Sequence, residues 1–302
     1  MNSETIHPFF QGFDFFSFVH RGGAEEATEN TLEAFKNAAD MGFVFMETDV
    51  QSTSDGKVVI FHDSDLKRVA GINKKVSELT FKEIKEIELI NGGKIPSLEE
   101  TLSSFPSLRF NIDIKVDSAV DETIKIVKEH NALDRVCLAA FSSNRLSRIR
   151  KISGVGLCSS MGQAEIVRLL ISSFGLNQKI SPGLCAQVPV SQFGIPIVTE
   201  RFITKIHNLN KLIHVWTIDE TKEMFRLIDL GVDGLMTDKP TVLKEALLET
   251  AKLTVMIFAL IWGFFLLSEK ISLSSIIAVS YTPLRAHETP EHRGCRRRHE
   301  KK

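Results

Sequence analysis

An α/β architecture, a (β/α)8 TIM barrel followed by a C-terminal apolar segment, is the fold this sequence predicts. Three observations carry it. Between residues 16 and 249, short apolar, β-branched runs alternate with segments of helical period, as in βα units around a parallel sheet. Eight such units in about 235 residues match the usual size of a closed barrel. A doubly wound sheet uses similar units, so the third observation matters most: the chemically loaded side chains fall where the strands should end, the catalytic end of a barrel.

The strands are expected, in order, at 16–20, 45–50, 109–114, 136–141, 155–159, 184–188, 212–218 and 234–237. A ninth run, 58–62, follows residue 50 after only seven residues that include the turn pair Asp55-Gly56. A parallel crossover needs a dozen or more residues, so this run should return as a hairpin. Helices are expected at 31–41, 81–89, 98–104, 121–129, 144–151, 163–172, 199–209, 221–230 and 241–249. Thr80, Ser97 and Thr199 stand where a side-chain oxygen caps a helix start, and Asn30 is suited to the same task before the first helix.

With 302 residues the chain has room for a sizeable core. Lys and Arg number 37 against 38 Asp and Glu, a net charge of -1, which offers no electrostatic case for nucleic acid. Cys137, Cys158, Cys185 and Cys295 are widely spaced, without a CxxC pair. That argues against a disulfide framework or a thiolate zinc site and suits a reduced compartment. Residues 1–12 lack the basic start of a secretory signal, so a cytoplasmic catalytic domain is expected.

Two segments lie outside the barrel pattern. Residues 253–268 are strongly apolar, but sixteen residues of helix span about 24 Å, short of the roughly 30 Å hydrocarbon core, so they form a candidate membrane anchor. Residues 279–302 carry a surplus of four positive charges, leaving -5 on residues 1–278, and they hold the only tyrosine, Tyr281, of a chain with 21 Phe. This shift in composition marks a non-native or disordered tail, and its basic run is not read as a binding or targeting signal.

The chemistry sits at the predicted strand ends. Glu47 and Asp49 are two apart on one strand and share a face. With Asp113 from the next barrel strand they can offer three carboxylates to a hard cation, Mg2+ or Ca2+. His20 and His62 end different strands and suit a reaction in which one group takes a proton and another gives one. Arg21 can grip a phosphate in two places and Lys115 can add a point charge, so acid-base work on a phosphodiester is the reading that uses them all. Phe141 and Trp216 can wall a substrate pocket, and Glu29 can orient the metal site or bond His20. His130, His207 and His214 are expected to be structural or on the surface.

The motifs HRG at 20–22, ENT at 29–31, ETD at 47–49, FHD at 61–63, IPSLEE at 95–100, NIDIK at 111–115, HVWTID at 214–219 and GVDGLMTDKP at 231–240 occur in the order seen in the glycerophosphodiester phosphodiesterase family. The chain resembles that family over residues 15–249. The resemblance implies a barrel of the phospholipase C-like phosphodiesterase type that hydrolyses glycerophosphodiesters to sn-glycerol 3-phosphate and an alcohol. It makes His20 and His62 the acid-base pair, Arg21 and Lys115 the phosphate contacts, and Glu47 and Asp49 metal ligands. Asp113 stands where the family commonly has Glu, and Asp219 where Asn is common after the Trp. Rival readings are a lysophospholipase D or phospholipase C-like activity on membrane lipid, and a phosphodiester-binding protein without turnover.

Overall fold

Eight parallel strands lie side by side in the computed structural model, which describes residues 7–154, 156–176 and 181–267. In chain order the strands are β1 (Phe16–His20), β2 (Phe45–Ser52), β3 (Val58–Ile60), β4 (Arg109–Ile114), β5 (Val136–Ala139), β6 (Cys158–Ser159), β7 (Cys185–Val188), β8 (Ser191–Gln192), β9 (Ile195–Pro196), β10 (Leu212–Val215) and β11 (Gly234–Thr237). The parallel sheet runs β6-β5-β4-β2-β1-β11-β10-β7, and a parallel bridge from Ser160 to Cys185 joins its two ends, so the barrel is nearly closed. Strand β3 pairs antiparallel with β2, Val50 opposite Ile60, as the short connection requires. β8 and β9 form a separate hairpin that the sequence pattern does not announce.

The helices are α1 (Leu32–Asp40), α2 (Lys67–Ala70), α3 (Phe81–Glu86), α4 (Leu98–Ser104), α5 (Val120–Glu129), α6 (Ser143–Ser153), α7 (Gln163–Ser173), α8 (Glu200–His207), α9 (Thr221–Leu230) and α10 (Pro240–Leu267). Thr80 and Ser97 each cap a helix in a box with the Glu three residues on, and Thr199 caps α8. Such caps contribute about 1 kcal/mol each. Helix α3 ends at Glu86, short of residue 89, because Leu89 donates instead to the Gly93 carbonyl across a tight turn. β5 stops at Ala139 because Ser142 already caps α6, which leaves Phe141 on the connecting loop.

Asn30 is not the cap of α1. Thr31 takes that role, accepting from the Ala34 amide at 3.1 Å, while Asn30 adopts a left-handed φ of 58° and turns its side chain inward. Asn tolerates that backbone because its short amide can bond locally. Gly22 has a φ of 79°, and a Cβ there would meet Ala34 Cβ at 2.6 Å, so the third residue of the HRG motif must be glycine for α1 to pack beneath it.

Side chains alternate into the barrel along each strand. Phe16, Phe18, Phe45, Cys137, Cys158, Cys185 and Met236 pack as one core cluster, and Phe9 and Phe10, in a short 3-10 turn before β1, join it. Burial of a Phe of this kind is worth roughly 1.5–3 kcal/mol. The strand ends therefore carry polar groups over an aromatic floor. A second cluster, Val59, Phe61, Leu66, Val76, Leu79, Ile84, Leu89 and Ile95, underlies the segment after β3.

Residues 1–246 form one unit, which holds the barrel, and residues 247–302 a second, described as helix as far as Leu267. Helix α10 runs through both the expected helix 241–249 and residues 253–267 of the apolar segment, with neither Gly nor Pro between Pro240 and Gly263. Among the described residues no helix is long and apolar enough to cross a membrane. The expected tail at 279–302 lies outside the described residues.

Candidate active site

His20, the last residue of β1, lies beside Glu47 on β2, in register. Its Nδ1 donates to Asp238 Oδ1 at 2.7 Å, and its Nε2 lies 3.5 Å from Glu47 Oε2. Burial alone would lower its pKa, but Glu47 and Asp238 outweigh burial and raise it. Asp238 is itself fixed: Asp219 Oδ1 accepts from both the Asp238 amide and the Thr237 hydroxyl, each at 2.8 Å. Asp219 thus has a defined place at the end of β11, supporting the partner of His20.

Asp49 and Asp113 face each other in register on β2 and β4. The Lys115 ammonium bonds both, at 2.8 Å to Asp49 Oδ1 and 2.6 Å to Asp113 Oδ2. Asp49 is further held by the Asn30 amide at 3.1 Å and lies 3.3 Å from Arg21 Nε. Burial would raise its pKa, yet Lys115 and Arg21 hold it below the usual carboxylate range. Glu47 is the contrasting case. Burial, and then the charge of Asp49, push its pKa up to about 7. Burial raises Asp113 too, against the pull of Lys115.

His62 follows β3 by two residues and donates from Nδ1 to Asp63 Oδ1 at 2.6 Å. Gln51 holds the backbone there, donating to the carbonyls of His62 and Asp63 at 3.1 and 3.0 Å. Phe141 is half exposed, its ring edge-on to Trp216 at 5.9 Å and its face 5.7 Å from Lys115 Nζ. Phe141 thus stands between Trp216 and Lys115.

The donor set suits a hard cation. Glu47 Oε2 and Asp113 Oδ1 are buried acidic oxygens without a hydrogen-bond partner among the described residues, which a divalent ion satisfies and a hydrophobic core does not. Among the described residues no group of three or more His, Cys, Asp or Glu side chains is gathered as a metal cage, and Lys115 supplies the positive charge shared by Asp49 and Asp113.

Some assignments change and others are new. Glu29 does not bond His20; it accepts from Arg21 Nη1 at 3.3 Å and, through both oxygens, from Arg68. His214 is fully buried against Phe10, Phe16 and Phe18, and His207 pairs with Asp233 near the surface. Asp238 is a site residue that the sequence motifs do not single out, although it directly follows a predicted strand end and the rule that finds His20 applies to it. Arg68 lies on a four-residue helix with no signature of its own.

The family model "Glycerophosphoryl diester phosphodiesterase family" matches residues 20–242. The chain is 32% identical over 238 residues to the Mycobacterium tuberculosis protein named "Probable glycerophosphodiester phosphodiesterase 2", covering 77% of this chain and 90% of that one. It is 28% identical over 277 residues to a lysophospholipase D of Homo sapiens, covering 76% and 84%. The crystal structure of a glycerophosphodiester phosphodiesterase from Thermotoga maritima superposes with a TM-score of 0.62 at 27% identity, over 77% of this chain and 98% of that one. With strand-end chemistry and barrel agreeing with these matches, the chain belongs to the glycerophosphoryl diester phosphodiesterase family and is, with it, a phosphoric diester hydrolase.

Proposed function

We propose that the protein hydrolyses glycerophosphodiesters to sn-glycerol 3-phosphate and an alcohol, with His20 and His62 exchanging protons with the reacting oxygens. The observation that carries the reading is the pairing of each imidazole with its own carboxylate, His20 with Asp238 and His62 with Asp63, at the same end of the barrel as the cations Arg21 and Lys115. Each carboxylate accepts from Nδ1, leaving Nε2 to hold or release the reacting proton. Arg21, paired with Glu29 and Asp49, and Lys115, held by Asp49 and Asp113, turn to the phosphoryl oxygens when substrate arrives.

Glu47, Asp49 and Asp113 are the residues that would hold a divalent cation, Mg2+ or Ca2+. Such an ion, when bound, neutralises phosphoryl oxygens and makes a nearby hydroxyl more acidic. Phe141 and Trp216, edge-on to one another at 5.9 Å, would wall the substrate pocket. Half-exposed Phe141 also favours a second reading, lysophospholipase D action, since an apolar rim can receive an acyl chain. Glycerophosphocholine and lysophosphatidylcholine assayed side by side, with EDTA and then with restored Mg2+ or Ca2+, test both. Preference for the first substrate supports the main reading, preference for the second supports its rival, and turnover of neither leaves a binding protein.

A further inference from the structure

We propose that Arg68 is a positioning residue that fixes His62 and Arg21 at once. The proposal rests on the reading of those two groups as proton carrier and phosphate contact. Arg68 Nη1 and Nη2 donate to the two oxygens of Glu29 at 2.6 and 2.8 Å, and Nε donates to Asp63 Oδ2 at 2.7 Å. A single planar guanidinium thus spans two carboxylates from different loops. Lys, a point charge, cannot match that fork.

Each carboxylate has a second client. Asp63 spends its other oxygen, Oδ1, on His62 Nδ1, and Glu29 Oε1 also accepts from Arg21 at 3.3 Å. Arg68 therefore touches neither group directly and sets the direction of both. Its own base is firm: Leu66 is fully buried in the cluster under this segment, Val69 packs against it, and the Val69 carbonyl accepts from Ile90. The side chain itself is half exposed, so replacing it removes little from the core.

Without Arg68, the Asp63 carboxylate can still accept from His62 and the Glu29 carboxylate from Arg21, but each loses the guanidinium that anchors it from the other side, and neither bond is then held in place. Both carboxylates then gain rotamer freedom, and so do the groups they aim. A misplacement of about 1 Å can cost on the order of 10^2-fold in rate. The consequence separates by arm: loss through Asp63 lowers kcat, and loss through Glu29 raises KM.

The test compares Arg68→Gln, Arg68→Lys, Asp63→Asn, Glu29→Gln and the doubles with Arg68→Gln, by kcat and KM on glycerophosphocholine, thermal midpoint and the side-chain 15N resonances of His62. Arg68→Gln is expected to lower kcat by about 10^2-fold and raise KM with little change in melting, with Arg68→Lys intermediate. Adding Arg68→Gln to Asp63→Asn should cost no further kcat, and adding it to Glu29→Gln no further KM. The His62 spectrum should pass from one Nδ1-protonated tautomer to a mixture. Wild-type kcat and KM in Arg68→Gln, or effects that simply multiply in the doubles, overturn the proposal; Arg68→Lys carries the comparison if Arg68→Gln does not fold. Should the wild type itself be inert, the functional reading falls, and the spectra alone decide: an unchanged His62 tautomer in Arg68→Gln refutes the positioning role.

Discussion

His20 Nδ1 donates a hydrogen bond to Asp238 Oδ1 at 2.7 Å, which ties the first strand of the barrel to the loop leaving the last. Asp238 in turn is held by Asp219, so the orientation of one imidazole depends on a carboxylate at the start of the preceding connection, just after β10. The neutral amide of Asp238→Asn can still accept a hydrogen bond but no longer balances an imidazolium. Turnover should fall toward the loss expected for a missing general acid or base, about 10^2 to 10^4-fold. Steady-state kinetics of Asp238→Asn, His20→Ala and the double check this: if the pair acts as a unit, the double is no slower than His20→Ala.

Removing either histidine should cost turnover without costing the fold. His20→Ala and His62→Ala are each expected to lower kcat by about 10^2 to 10^4-fold, while circular dichroism and melting stay close to wild type, because both side chains cap strands above the aromatic floor. Near-wild-type hydrolysis in both variants would remove them from the reaction.

The carboxylates should set the demand for metal. Glu47→Gln, Asp49→Asn and Asp113→Asn each delete a charge that a hard cation needs, so activity should require more Mg2+ or Ca2+ than in the wild type. Metal titration of activity measures it. An Asp113→Asn curve that overlays the wild type would take Asp113 out of the ligand set and leave it only as a partner of Lys115.

Acid should destabilise the barrel through His214. Burial pushes its pKa down to about 4, with Asp233 opposing, and neither ring nitrogen has a hydrogen-bond partner among the described residues. Between that value and an unfolded pKa of about 6.5, the unfolded chain binds a proton that the folded chain refuses. Stability from this group is therefore complete above about pH 6.5 and declines as pH falls toward 4, by a total of about 3 kcal/mol. Urea midpoints of wild type and His214→Phe at pH 7.5 and 4.5 measure it; the variant should lose less on acidification, and equal losses would assign the acid sensitivity elsewhere.

Sequence periodicity locates the strands well where a strand meets the core on one side and a reactive group at its end, as in Phe16–His20, Arg109–Ile114 and Gly234–Thr237, whose limits agree with the structure. It overruns where a turn residue takes the chain early, as Ser142 does after β5. Asn30 misleads because an Asn before a helix signals a cap, whereas its role here, between Thr48 and Asp49, depends on a strand brought near only by folding. The residues proposed to react are legible by type and place. The residues that aim them are not: Arg68 acts across 39 positions of sequence on Glu29, and no local pattern encodes that distance.

The most direct measurement follows glycerophosphocholine by 31P NMR in the presence of the protein and Mg2+ or Ca2+, with an EDTA-treated control. The expected result is that the diester resonance is replaced by that of glycerol 3-phosphate, that choline is released in equal amount, and that EDTA stops the conversion. A diester resonance that persists under every metal condition, or one replaced by phosphocholine, would contradict it.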